Sequence, residues 1–501
     1  MALLALPLLV QAQFSPAAKP PPDEVKKGYD AISMDEAKKW LTFLATQCQG
    51  RGSGQPGFQK AADFVASKFK EYGLKPLGDD GSYFQHVPFY RYRLDPGQSY
   101  LAKSDGGNRI GAKGKFSVNA GGADIDVTGS IVFIRGGDKV ALPENTVLKG
   151  KIVVIFNDSP RMSQKLRGDL FRGEAAATFT VVPKVGDPIW TARLGKLADF
   201  QPNSRTPGGQ ISMDAAKQLL KKQSIEGDFL TKTVGDDKAL VATGMDDLRL
   251  VIKCQKEDVG VPNVVGMLEG SDPTLKEEYV AIGAHLDHLG TDGVNVWPGA
   301  DDDGSGTTAV LCVAKAMSKN PVRPKRSVLF MTFCGEEMGL LGSSWYVKHP
   351  AVPLDKTQCL MQMDMVGRDS FGAQNGDQNR IDVLDENKDT MRLVGSKRIS
   401  QEYDDIIQDV NQYVGFKFRY DAEDVYTRSD HFNFARNGVP IAFQFCGFTP
   451  DYHQPTDTVD KIDFLKLTNA AKLCYLTLFH VGDMDHPLKR DGTDSKKGEG
   501  N

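Results

Sequence analysis

Cysteine is scarce in this chain and poorly placed for chemistry. Seven residues (Cys48, Cys254, Cys312, Cys334, Cys359, Cys446 and Cys474) are scattered over 501, odd in number and never in CxxC spacing. That argues against a thiolate metal site and against a dense disulfide framework. Several fall inside apolar strand or helix patterns, where cysteine serves as a small core residue, so they leave the cellular compartment open. An excess of one charge is also missing: 61 basic residues face 65 acidic ones, for a net charge of -4. Without a long basic run there is no footprint for nucleic acid. Long apolar runs are absent too. The stretch from Met1 to Val10 is apolar, but about ten residues cannot span a bilayer, and no other segment is a candidate for a membrane span. That stretch lacks a basic start, yet its apolar run passing into small and polar residues resembles the later part of a secretory signal. The expectation is therefore export, to a periplasm or the extracellular space. Residues 1–30 would be a signal segment and a tether, the Pro-rich part running from Pro16 to Pro22.

What is present describes a soluble globular protein: 40% hydrophobic residues, 25% charged and 51 glycines. At 501 residues the chain exceeds one compact core, and two or three domains are expected. Apolar residues recur at helical spacing over Met34 to Thr46 (Trp40, Leu41, Phe43, Leu44) and Gly57 to Tyr72 (Ala61, Phe64, Val65, Phe69). Between them lies the Gly-rich loop "QGRGSGQPG". From about Leu94 to Lys253 the texture changes to short β-rich runs such as Gly129 to Arg135 and Gly150 to Phe156, and "GEAAATFTVV" at 173–182 runs into a strand. No catalytic constellation is visible there, and the pattern resembles a protease-associated (PA) domain, a small β-rich insert common in exported peptidases. From Val261 onward strand-like runs (Glu278–Ala284, Ser327–Phe333, Cys359–Met365, Pro440–Phe445) alternate with helix-like ones (Ser305–Ser318, Asp389–Tyr403, Leu465–Val481). Continuous apolar strands separated by helices predict an α/β fold, a mixed, largely parallel sheet flanked by helices. The domains read as 31–93 and 259–485 for the α/β part, 94–258 for the β-rich insert and 486–501 for a polar tail.

In such sheets reactive groups collect at the carboxyl ends of the strands. The first run ends in Ala284-His285-Leu286-Asp287-His288. After a short loop, Pro298-Gly-Ala-Asp301-Asp302-Asp303-Gly-Ser-Gly306 opens the next helix. The later runs lead to Glu336-Glu337, to Met363-Asp364-Met365 and to Asp451-Tyr452-His453-Gln454. Taken singly each has an ordinary reading: a satisfied histidine, or an acidic helix cap. "DDDGSG" lacks the alternating spacing and terminal Glu of a Ca²⁺ loop. Taken together, two His and three carboxylates at one sheet edge are the ligand inventory of a borderline metal such as Zn²⁺. Shared by two cations, they form a site about 3.5–4 Å across, bridged by one carboxylate and a water or hydroxide.

The motifs "HLD", "GADDDGSG", "EEMGLLGS", "DMVG" and "YHQPTDT", in this order, resemble the M28 family of zinc peptidases over residues 34–93 and 261–485. The resemblance implies two Zn²⁺ ions. His285 and Asp364 would hold one, Glu337 and His453 the other, and Asp302 would bridge them. It implies further that Asp287 orients His285 and that Glu336 is the general base. Asp302–Asp303 becomes a candidate cis peptide. Tyr452 and Tyr426 compete as donor to the oxyanion. His288 has no counterpart among the five ligands and is left out as structural or lining. His431 is read as packing locally, and Arg368 and Asp369 as lining the cleft or sitting in a solvated loop. The implied activity is that of an exported metallo-aminopeptidase acting on peptides with a free N-terminus. The alternatives are a glutamate-carboxypeptidase-like enzyme or dipeptidase, though no arginine cluster is evident, a single-zinc cyclase on the same scaffold, though all five ligand positions are filled, or a non-catalytic receptor-like binding module. The insert as the main, protein-binding part is a further alternative.

Overall fold

The computed structural model describes residues 18–119, 123–159, 162–186, 207–225, 227–235, 237–368 and 387–494. The apolar segment of residues 1–13, Asp369 and the end of the polar tail lie outside the described residues. The chain divides into two compact units, one formed by the stretches up to Val87 and from Gly260 on, the other by Pro88–Val259.

The first unit is built on a nine-stranded sheet. Its strands are β1 (Lys75–Pro76), β2 (Phe84–Val87), β3 (Val261–Leu268), β4 (Tyr279–His285), β5 (Ser327–Phe333), β6 (Thr357–Met363), β7 (Thr390–Val394), β8 (Lys417–Arg419) and β9 (Ile441–Phe445). Their order is β1-β3-β5-β4-β6-β9-β7-β8, with β2 also paired to β3. The four middle strands, β5, β4, β6 and β9, run parallel, and β3 and β7 flank them antiparallel. The sheet is thus mixed and largely parallel at its centre. β4, β5, β6 and β9 are buried at every position, as expected where both faces of a parallel sheet are covered. The helices Gly306–Lys319 and Phe464–Asp483 pack on each other and on β4, while Leu341–Lys348 and His431–Arg436 pack together, the latter also on β6 and β9. The helices read between 34 and 72 are Met34–Thr42 and Pro56–Glu71, the first continuing into a wider turn at Phe43–Gln47.

One predicted helix is wrong. Residues 389–403 are not helical throughout, because Thr390–Val394 is strand β7 and the helix begins only at Gln401. The reason is local: "TMRLV" places a β-branched residue at each end, Gly395 turns the chain at φ +70°, and the Ser400 hydroxyl caps the helix by accepting from the Tyr403 N–H at 3.1 Å.

The second unit holds an eight-stranded sheet with Leu240–Ile252, Ile125–Gly136 and Ile152–Asn157 at its middle. Separate clusters fill its core, one around Phe116, Phe133 and Phe179, another around Val132, Ile134 and Leu166. Tyr90–Leu94 pairs with Cys254–Asp258, which draws residues 88–93 into this unit rather than into the α/β part. All seven cysteines are free thiols, six of them buried. No described helix is long and apolar enough to cross a membrane.

Candidate metal centre

The carboxyl ends of the four parallel strands bring the predicted groups together, and backbone contacts fix each one. At the end of β4 the His285 N–H donates to Asp303 Oδ2 at 3.0 Å, and its carbonyl accepts from Thr307 Oγ1 at 2.8 Å. The His285 Nδ1 lies 2.9 Å from the Asp287 carbonyl oxygen. A carbonyl can only accept, so Nδ1 carries the proton and Nε2 is left with its lone pair facing the cleft. Asp287 therefore orients His285 with its main-chain oxygen rather than with its carboxylate. The carboxylate is engaged elsewhere, Oδ1 accepting from the Glu336 N–H and Oδ2 from Ser53 Oγ, both at 3.0 Å. Beyond β5 the chain turns at Gly335, where φ is +65°. Glu336 and Glu337 then point to different halves of the site.

Asp302 sits between those halves. Its Oδ1 is 3.1 Å from His285 Nε2 and its Oδ2 is 3.2 Å from His453 Nε2. Around His285 stand Asp364 Oδ1 at 3.6 Å and Glu336 Oε2 at 4.0 Å. Around His453 stands Glu337 Oε2 at 3.0 Å. All five predicted ligands thus lie in one cluster. The Asp302–Asp303 peptide is cis, and the carboxylate of Asp457 accepts from the N–H groups of Asp301 and Asp302 at 3.0–3.1 Å. Asp303 is also close to His285 and Asp364, but its carboxylate is taken up by the N–H groups of His285, Gly306 and Met365. It fastens the loop, whereas the oxygens of Asp302 face imidazoles.

The group that sequence reasoning left out is His288. Its ring is buried, and Nδ1 stands 2.8 Å from Glu337 Oε1 and 3.8 Å from Asp302 Oδ2. A further support that the sequence hid is Arg51, wholly buried in the Gly-rich loop. Its guanidinium donates to the carbonyls of Leu286 (2.9 Å), Pro298 (2.7 Å), Gly299 (2.7 Å) and Leu44 (3.3 Å). It ties together the two loops that carry His285, His288 and Asp302. Ser53, from the same loop, donates to Asp287 and accepts from the Gly335 N–H at 2.9 Å.

The two tyrosines separate. Tyr452 lines the cavity, its ring stacked on His453 at 3.9 Å and its hydroxyl accepting from Arg428 Nη2 at 3.2 Å. Tyr426 does not line it; its ring packs on Gly395 and under the Arg398 guanidinium. Both rings pack against the cluster around Val425 and Phe443, and of the two Tyr452 reaches the cavity lining. His431 donates from Nε2 to the Tyr426 carbonyl at 2.8 Å, and burial pushes it down to about 3, so it stays neutral. Arg368 is buried and donates to Asp451 at 3.1 Å, outside the cavity lining.

The electrostatics follow from crowding. Burial lifts the Glu336 carboxyl well above the usual carboxylate range, with Glu337, Asp364 and Asp430 adding to it and His285 opposing. For His453 burial works against charge, but the carboxylates of Asp302 and Glu337 outweigh it and push the imidazole up to about 10. His285 is likewise raised against burial, chiefly by Glu336 and Asp364. These residues fit a cation pair. Glu337 Oε1, His288 Nδ1 and His453 Nε2 are buried atoms with no hydrogen-bond partner, although they stand within reach of one another. Lone-pair donors so placed need a positive centre between them.

A consequence for metal uptake can be worked out in sign. Without a cation, the His453 imidazole holds a proton at neutral pH, whereas a ligand imidazole must be neutral. Zinc loading is therefore expected to release a proton from His453, and affinity should rise with pH up to about 10, where His453 titrates. Calorimetric titration of the metal-free protein in two buffers of different ionisation enthalpy measures this. Equal heats in both buffers would contradict it.

Comparison with known proteins agrees with this arrangement. Residues 263–478 match the model of Peptidase family M28. Over 403 residues the chain is 26% identical to a probable leucine aminopeptidase 2 of Aspergillus oryzae, covering 74% of this chain and 71% of that one. A probable leucine aminopeptidase 2 of Aspergillus fumigatus is 30% identical over 222 residues, which cover 43% of this chain and 40% of the relative. Among solved structures, an aminopeptidase from Aneurinibacillus sp. strain AM-1 superposes with a TM-score of 0.52 at 20% identity, over 94% of this chain and 98% of that one, a likeness of fold. The segment that matches Peptidase family M28 contains every clustered His and carboxylate described above.

Proposed function

We propose that the protein is a zinc aminopeptidase that holds two zinc ions and removes single residues from the free N-terminus of peptides. The observation that carries this reading is Asp302, whose two oxygens face His285 and His453 at 3.1 and 3.2 Å. One carboxylate thereby joins two ligand sets. His285 and Asp364 would hold one ion, Glu337 and His453 the other. When bound, the ions supply Lewis acidity and a water whose pKa falls towards neutrality. Glu336 has one carboxylate oxygen at the His285 side of the cavity. It takes the proton of the attacking water and returns it to the leaving amine. The Tyr452 hydroxyl, kept protonated by burial and by the nearby Asp302, donates to the oxyanion.

A small cavity lies beside these groups. Its far wall is formed by Met365, Val425, Phe443, Phe445 and Phe448, with the Arg428 guanidinium 4.5 Å from the Phe448 ring, while carboxylates crowd the near side. A protonated α-amine suits the acidic end and an apolar side chain the other, in keeping with relatives named leucine aminopeptidases. An exported location and a PA-type role for Pro88–Val259 accompany this reading. A panel of aminoacyl fluorogenic amides tests it. Leucyl and methionyl amides are expected to be cleaved at least ~10²-fold better in kcat/KM than lysyl ones, because an ammonium placed against phenylalanines and the Arg428 guanidinium is left unpaired. N-acetylation should abolish turnover. Cleavage confined to N-blocked or C-terminal-glutamate peptides would refute the aminopeptidase reading, and a chain without turnover or metal would be a binding module.

A further inference from the structure

Within this reading, on which the following inference rests, one buried side chain still has no assignment. His288 is 2% exposed, and neither ring nitrogen has a hydrogen-bond partner. Leaving an imidazole N–H and lone pair unmet in the interior is costly, so the ring calls for an explanation that packing does not supply. We propose that His288 Nδ1 is a sixth protein ligand of the centre, completing the half-site built on Glu337, His453 and Asp302.

Spacing supports the assignment. Four donors around a tetrahedral cation at about 2.1 Å stand roughly 3.4 Å apart. The observed separations are 2.8 Å (His288 Nδ1 to Glu337 Oε1), 3.0 Å (His453 Nε2 to Glu337 Oε2), 3.2 Å (His453 Nε2 to Asp302 Oδ2) and 3.8 Å (His288 Nδ1 to Asp302 Oδ2). They scatter around that edge length. Nδ1 and Oε1 come as close as hydrogen-bonded atoms yet miss hydrogen-bond geometry, as two ligands of one ion would. The ring is also held in place. The His288 N–H donates to the Arg51 carbonyl at 3.2 Å, and the backbone bridges to Gly52. Its Cγ–Cδ2 edge lies on Gly299, where φ is +55° and a Cβ would come within 2.5 Å of Cγ.

The inference makes the centre unequal. One half-site has four protein donors (Asp302, Glu337, His453, His288) and the other three (Asp302, His285, Asp364). A closed set favours retention of its ion and a three-donor set leaves a position open for water. The open half is the one beside Glu336, so the more exchangeable ion sits where the chemistry is.

X-ray absorption at the zinc edge on the zinc-loaded full chain tests this by counting imidazoles. Three histidines over two ions give about 1.5 imidazoles per zinc, and two histidines give about 1.0. If a single ion is retained, the inference requires two imidazoles on it. His288→Ala should weaken the tighter site at least ~100-fold in chelator competition, more than the 10–100-fold typical of a residue that only supports a ligand. In cobalt-loaded His288→Cys, a thiolate-to-cobalt charge-transfer band absent from the parent protein is expected. About one imidazole per zinc would overturn the assignment of His288 and leave the proposed function standing. A chain that binds no zinc would instead overturn the proposed function itself.

Discussion

Glu336→Gln is expected to retain its metal complement and to lose roughly 10²–10⁴-fold in kcat, the usual worth of a positioned base. The substitution keeps side-chain size and the backbone contact in which the Glu336 N–H donates to Asp287 Oδ1 at 3.0 Å. It removes only the ability to take and return a proton. The carboxylates proposed as ligands, Asp302, Glu337 and Asp364, are unchanged, so metal analysis should read the same as the parent protein. Glu337→Gln should show the opposite pattern, since Glu337 Oε2 is 3.0 Å from His453 Nε2. There the metal content falls and activity falls with it. Measuring kcat and bound zinc together on both variants separates the neighbours. Full turnover in Glu336→Gln would remove that residue from the chemistry.

The second large effect is expected far from the ligands in sequence. Arg51→Met should destabilise the fold by roughly 3–5 kcal/mol, a size reserved for buried polar networks. Four carbonyls, those of Leu44, Leu286, Pro298 and Gly299, lose the guanidinium inside the protein, and of these Gly299 keeps the Gly304 N–H at 3.1 Å. Each orphaned acceptor costs about 1–3 kcal/mol. Relief from holding a buried cation offsets part of the sum. Arg51→Lys should recover little, because an ammonium cannot reach four acceptors in a planar fork. Zinc affinity should drop alongside stability, as the loops bearing His288 and Asp302 lose their common anchor. Urea unfolding read with metal content checks both, and an unchanged midpoint with unchanged zinc would contradict them.

Why some of this could be read from the amino acids is physical. β4, β5, β6 and β9 are predominantly apolar runs, and a parallel sheet delivers whatever follows each run to one edge. His285, Asp302, Glu337, Asp364 and His453 were legible for that reason, and Glu336 and Glu337 diverge because adjacent residues leave a strand differently. Arg51 was hidden, since an arginine between glycines reads as a solvated loop and only the fold surrounds it with carbonyls. His288 was left out as structural or lining because, three residues past His285 and outside any period, nothing in the string separates a packed imidazole from one facing a cleft. That the Asp287 contact to His285 runs through the main-chain oxygen was not legible: side chains can be ranked from sequence, but a main-chain carbonyl carries no label. Asp457 lay within "YHQPTDT" without a role, and its role is to accept two backbone N–H groups under Asp302. The strand at Thr390–Val394 was lost to an apolar spacing short enough to satisfy either period.

The register of β2 on β3 has a bearing on how such a chain can vary. Val87 lies opposite Val261, so the polypeptide departs towards the second unit and comes back at neighbouring rungs of one antiparallel ladder, about 5 Å apart. In topology those two strands are a hairpin, and everything from Pro88 to Val259 occupies its tip. Lengthening a tip leaves the rungs below it where they are. Evolution could therefore enlarge, trim or exchange that module while the hydrolytic half keeps its strand alignment.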